Sequence, residues 1–206
     1  LLIRTVKENN VVQIIALGFA HRERHRISVT ISFGVIYKNI NNEAIKFGEA
    51  NRLKYYNPME CIHIGYLMPQ KDYHAWYFEL NGDPQAIEDN IRDVASTIIQ
   101  YGFPYLEMLS NEDNLINEID RTSTTTYKGR IIPIIYHMRN EKERALQYIE
   151  KSIKKISKGF TKEDYESAKR LAGEGGYFIM VENNALKYYM EFVENFKRIL
   201  NEENAD

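Results

Sequence analysis

The 206-residue chain has one cysteine, five prolines, no long apolar run and almost no excess of charge. With Cys61 alone, an intrachain disulfide is excluded, and so is a structural zinc site built on several thiolates. No stretch approaches the ~20 apolar residues that a membrane-spanning helix needs. Gly-x-Ser-x-Gly, His-Glu-x-x-His, a calcium loop and a phosphate loop are all missing. Gly173-Glu-Gly-Gly176 is too short for a phosphate loop and reads as a turn. Lys+Arg number 27 against 29 Asp+Glu, net −2, and the halves on either side of Phe103 are each balanced. That argues against a general nucleic-acid binder or a basic membrane-surface module. The chain opens on Leu1, as expected of a processed chain or a fragment. No Asn-x-Ser/Thr sequon and no leader pattern occur, so the expected location is cytoplasmic.

What is present is globular. Apolar residues make up 44% and charged residues 27%, enough for a real core in one large domain or two small ones. In the first third, Ile27, Val29, Ile31, Phe33, Val35 and Tyr37 alternate with Ser28, Thr30, Ser32 and Gly34, which predicts a half-buried antiparallel strand. Val11 to Ala20 is apolar on both faces apart from Gln13, as a strand covered on both sides would be. The connection His21-Arg-Glu-Arg-His-Arg26 lacks Gly, Asn and Pro, so the strands are expected to run on into it. Cys61 to Met68 and Tyr73 to Leu80 read as two further strands, joined by a hairpin turn at Pro69-Gln-Lys-Asp72. The expected arrangement is an antiparallel meander, with Asn39 to Pro58 an unassigned connection.

Helices follow. Asp83 is a good N-cap with Pro84 at the first helical position; Ile87, Ile91, Val94, Ala95 and Ile98 form a stripe expected to cover the sheet, and Gly102 and Pro104 mark the stop. Ser110 opens a second helix with Leu115, Ile116 and Ile119 as its apolar face. Thr122 to Arg130 carries no periodic hydrophobics and predicts a boundary between a 1–121 sheet-plus-helix domain and a 130–206 helical subdomain, or an exposed loop in one continuous domain. Beyond it, Pro133 opens a short helix through Met138. Asn140 with Glu143 forms a capping box before Leu146, Ile149, Ile153 and Ile156, and Gly159 closes that helix. Thr161 with Asp164 resembles another box, and Leu186, Tyr189, Val193, Phe196 and Leu200 mark a final helix. The fold class is therefore α+β: an N-terminal antiparallel sheet packed by amphipathic helices, then a mostly helical C-terminal half.

Three groups of residues could carry chemistry. His21, Arg22, Arg24, His25 and Arg26 place five potential cations in six residues, and arginine offers planar bidentate donors to a carboxylate or phosphate. This is the candidate partner-binding segment, set against the plain reading of a solvated loop; strand context disfavours metal ligation by the two histidines. Cys61 and His63 share one strand face, with Asp72, His74 and Trp76 on the next strand, an alternative ligand or enzyme pocket. The plainer reading there is a buried cysteine beside a hydrogen-bonded histidine. Lys151, Lys154, Lys155, Lys158 and Lys162 read as a solvated stripe. No metal and no cofactor is expected, and no catalytic constellation stands out.

The strand Ile27 to Val35, the Trp-bearing strand Tyr73 to Leu80, and Tyr101-Gly-Phe-Pro-Tyr-Leu-Glu107 together resemble a group of bacterial α+β domains of uncharacterised function. The resemblance spans Val11 to Ile119, with Tyr136 to Leu200 as an extension. Some relatives are suspected immunity proteins, so it implies a toxin-like protein partner and supplies no catalytic residues.

Overall fold

The alternation of β-branched and aromatic residues with small polar ones over Arg26–Tyr37 sorts its side chains onto two faces of a strand, and this strand is the centre of the fold. The computed structural model describes residues 2–6, 10–23, 25–49, 58–122, 128–158, 166 and 185–203. In chain order, β1 is Leu2–Val6, β2 Val11–Glu23 and β3 Arg26–Tyr37, each pairing antiparallel with the next. The last two strands are short: β4 is Glu60–His63 and β5 Trp76–Glu79. They do not pair with each other as a hairpin. Both lie antiparallel along the free edge of β3, β4 against Ser32–Val35 and β5 against Arg26–Val29. The apolar run from Cys61 is cut short because His63 Nδ1 accepts the Gly65 N–H and turns the chain into a 3-10 turn, Ile64–Tyr66. A short apolar run does not by itself distinguish strand from turn.

The connection after β3 is helical: α1 spans Lys38–Ala44 and continues into a π turn, Ile45–Glu49. Helix α2, Pro84–Thr97, starts as the sequence predicts, with Asp83 accepting the Gln85 N–H. It does not stop at Gly102. A π turn over Ile98–Gly102 carries it into α3, Phe103–Leu109. The Phe103 N–H reaches back to Ile98 rather than one residue less. That wider turn accommodates Pro104, which has no N–H and would crowd the carbonyl four residues earlier in an unbroken α-helix. Gly102 is there for packing: a Cβ on it would fall inside the Phe33 ring. Helix α4, Glu112–Thr122, is capped by Asn111, whose Oδ1 accepts the Asp113 and Asn114 N–H groups; Ser110 bonds back to Leu106 O instead.

Helix α5, Lys128–Met138, holds Pro133 in its interior instead of at its start. Burial of Ile131, Ile132, Ile134 and Ile135 offsets the lost backbone bond. Helix α6 is Lys142–Ser157 and α7 Ala185–Glu203. No capping box forms at Asn140. It adopts φ 59 and ends α5, with its N–H on His137 O and the Glu141 N–H on Tyr136 O. This is the two-bond helix stop that asparagine, after glycine, tolerates best. The expected Thr161–Asp164 box, the Gly159 stop, the glycines at 173–176 and Lys162 lie outside the described residues, as do 123–127 within the expected boundary.

Contacts divide the chain into two units, residues 1–42 with 51–122 and residues 43–50 with 123–206. In the first, Val11, Ile31, Phe33, Val35, Tyr37 and Trp76 meet the helices with Tyr105, Leu106, Leu109, Leu115, Ile116 and Ile119, all buried. Two long-range bonds tie the layers: Tyr37 OH donates to Leu109 O at 2.8 Å and Gln13 Nε2 to Ser110 Oγ at 2.9 Å. The cover comes mainly from α3 and α4. In α2 only Thr97 is buried and Ile91 is 54% exposed, because the helix faces the four-residue β5. β2 is covered only at its start: Val11 to Ile14 are buried, Gly18, Phe19 and Ala20 exposed. In the second unit, Phe47 stacks on Phe196 at 4.9 Å in a core with Ile131, Ile135, Ile149, Tyr189 and Phe192. Among the described residues no helix is long and apolar enough to cross a membrane.

Candidate functional site

The β2–β3 ribbon ends at the basic segment, with β5 paired along its β3 edge there. β2 runs to Glu23, which stands opposite Arg26 after an irregularity between His21 and Glu23. His21 and His25 are exposed. Arg26 Nε bonds Glu79 Oε1 at 2.8 Å, and its guanidinium lies 5.2 Å from the centre of the Tyr77 ring. The side chain of Arg22 and all of Arg24 lie outside the described residues. Three large apolar side chains near this end are exposed, Phe19 at 68% on one sheet face, Tyr77 at 46% on the other, and Leu80 at 52% just past β5. Leu80 is held there by its N–H on His25 O at 2.7 Å.

The second predicted group is partly assembled, by a different route. His63 on β4 stacks on Tyr73 at 4.8 Å, with Tyr66 at the edge of its ring. His74 meets Trp76 edge to face at 4.4 Å, and Trp76 Nε1 donates to Asp93 Oδ2 at 2.7 Å. His63 and His74 interact directly, since burial first and His74 second lower the His63 pKa, while a backbone bond with His74 opposes them. With Nδ1 accepting from Gly65, His63 carries its proton on Nε2, and His74 Nε2 is buried without a hydrogen-bond partner. Cys61 is exposed rather than buried. It sits opposite Gly34, on the sheet face away from Phe33 and the helices.

Two clusters escaped the sequence reading. In the first unit Glu60 and Glu118 are buried. Arg121 clamps Glu118 with two bonds, 2.6 and 2.9 Å, and Tyr105 OH donates to it at 3.3 Å. Burial, then the charges of Glu118 and Glu60, push the Tyr105 pKa up, so its hydroxyl stays a donor; Glu118 raises that of Arg121. The available signal was Glu118 lying among Leu115, Ile116 and Ile119, three residues before Arg121. In the second unit His137 Nε2 lies 3.3 Å from Glu203 and 3.8 Å from Glu43. Lys142 faces Glu203 at 3.7 Å and Lys46 faces Glu43 at 2.7 Å, so the carboxylates already have cationic partners. The cluster borders an open depression of about 520 Å³. Lys151, Lys154, Lys155 and Lys158 are exposed along α6. Among the described residues no three His, Cys, Asp or Glu side chains are placed to hold a metal ion.

Comparison of the chain with protein-family models, with curated proteins and with solved structures gives no match.

Proposed function

We propose that the chain is a non-enzymatic protein-binding module of the immunity-like kind, meeting a toxin-like partner at the end of the β2–β3 ribbon. The supporting observation is the composition of that end, where Phe19, Tyr77 and Leu80 are exposed and the connecting segment carries three arginines and one glutamate. Single exposed hydrophobics are ordinary, but Tyr77 under the Arg26 guanidinium on one face, with Phe19 on the other, has the makeup of interface anchors. The test is capture of a partner from the source organism, then association kinetics at two salt concentrations for Arg22→Ala, Arg24→Ala and Arg26→Ala. Slower association with weaker salt dependence is expected. A loss of about 1–3 kcal/mol is expected only at an arginine that becomes buried and bidentate. Unchanged association in all three removes the segment from the interface.

A second reading, a small-molecule or enzyme site at Cys61, His63, His74 and Trp76, draws on the buried His74 Nε2, which has no partner. Trp76 is the only tryptophan, so its emission reports any ligand arriving there. A ligand panel that leaves the emission unchanged disposes of this reading.

A further inference from the structure

The geometry points to the connection between β4 and β5, residues 64–75, as a pH-sensitive latch, closed on a neutral His63 and opened when that ring takes a second proton. The latch is independent of the protein-binding reading. With Nε2 already protonated, the second proton has only Nδ1 to occupy. That atom accepts the Gly65 N–H, so two donors would then face each other at 3.2 Å. Gly65 has no room to find another acceptor. It is buried, and a Cβ on it would lie 2.0 Å from Asp72 O and 2.8 Å from His74 N, so the two arms of the connection meet there backbone to backbone.

The returning arm is held by the same ring. Tyr73 stacks on it, a backbone bond joins it to His74, and His74 stands edge-on to Trp76, the first residue of β5. His74 Nε2 is buried without a partner, so a charge on that ring gains no acceptor there. Around His63 the titratable side chains are His74, Tyr66 and Tyr73, with Cys61 two residues back and Tyr101 on the π turn packed against Ile64–Tyr66. Lys71 is exposed, Asp72 accepts the Tyr73 N–H, Asp93 of α2 accepts from Trp76, and β3 sets the uncharged Ser32 opposite His63. Burial first, then His74, keep the second proton off. The closed connection therefore binds that proton less readily than the open one. Its advantage is full above about 6.5 and is lost as pH falls through the lowered value, by up to about tenfold per pH unit for one proton.

The test is amide exchange of the full chain from about pH 7.5 to about pH 5, expressed as protection so that the pH dependence of exchange itself cancels. Protection at Gly65 and Leu67, both donors inside the connection, should fall about threefold or more, while the β2–β3 ladder keeps its own. His63→Asn retains an acceptor for the Gly65 N–H and cannot titrate, so its protection should stay level over the same range. Loss that includes the β2–β3 ladder overturns the latch, because the sheet then opens as a whole. Protection at Gly65 and Leu67 that ignores pH overturns it too, as does a His63→Asn profile parallel to wild type. The wild-type measurement decides the matter without any variant.

Discussion

Gln13 interrupts an otherwise apolar run, and the interruption has a purpose. Its side chain is 2% exposed, and its amide reaches Ser110, whose hydroxyl bonds onward to Leu106 O. Removing the acceptor with Ser110→Ala strands a buried donor and should cost about 1–2 kcal/mol in urea unfolding. The double variant with Gln13→Leu should recover much of that, since replacing both partners by apolar groups is nearly neutral. His63 gives a pH prediction of definite sign. Its pKa is held below the ordinary 6.5, so the unfolded chain takes up that proton more readily than the folded one. The contribution is full above about 6.5 and is lost as pH falls through the lowered folded value. His63→Asn keeps an acceptor for the Gly65 N–H and cannot titrate, so its unfolding midpoint should fall less than wild type between pH 8 and pH 5. Parallel profiles would show that His63 has no part in acid sensitivity. At this scale the sequence marked the unusual residues, Gln13 and the His63–His74 pair, but not their partners. Those partners depend on which strands meet, and β4 and β5 both turned to β3. Glu118 carried a signal in its place among apolar residues, but Glu60 beside the same Tyr105 was illegible, because nothing marks it until α4 is laid against β4.

Among the elements, periodicity was reliable where it was long. The β3 alternation, the Asp83–Pro84 start and the Tyr189, Val193, Phe196 and Leu200 stripe of α7 all appear where the pattern puts them. Punctuation was less reliable, because a helix-stopping residue can be absorbed. Gly102 and Pro104 sit in a π turn, Pro133 inside α5, and Asn140 ends a helix where the pattern has it begin one. Gly102→Ala should therefore act through packing and not through chain flexibility. Pushing the Phe33 ring aside is expected to cost about 1–3 kcal/mol. Phe33→Leu in the same background should return part of it, and an unchanged urea midpoint for Gly102→Ala would show that the ring yields freely. At Asn140, alanine in the left-handed region should cost about 1 kcal/mol by thermal unfolding, and glycine close to nothing.

On the scale of the molecule, the α+β class was legible because strand-period and helix-period segments fall in separate parts of the chain. The path between them was not. Residues 43–50 leave the sheet unit and join the helical one, where Phe47 packs against Phe196, Phe192 and His137. Phe47→Ala should cost that unit about 3–5 kcal/mol, read as faster amide exchange in α5 and α7 with β3 unchanged. Uniform loss of protection would show that the two units unfold as one. The same crossover sets an order of events at the ribosome. Phe47 is synthesised about 150 residues ahead of Phe196, a wait of roughly seven to thirty seconds at ribosomal elongation rates. Through that interval residues 51–122 emerge and supply what the sheet unit needs, while the aromatic anchor Phe47 just ahead of them stays unclaimed. The helical unit cannot close until the final helix arrives, so a nascent chain halted before α7 would present Phe47 to whatever chaperone is nearest.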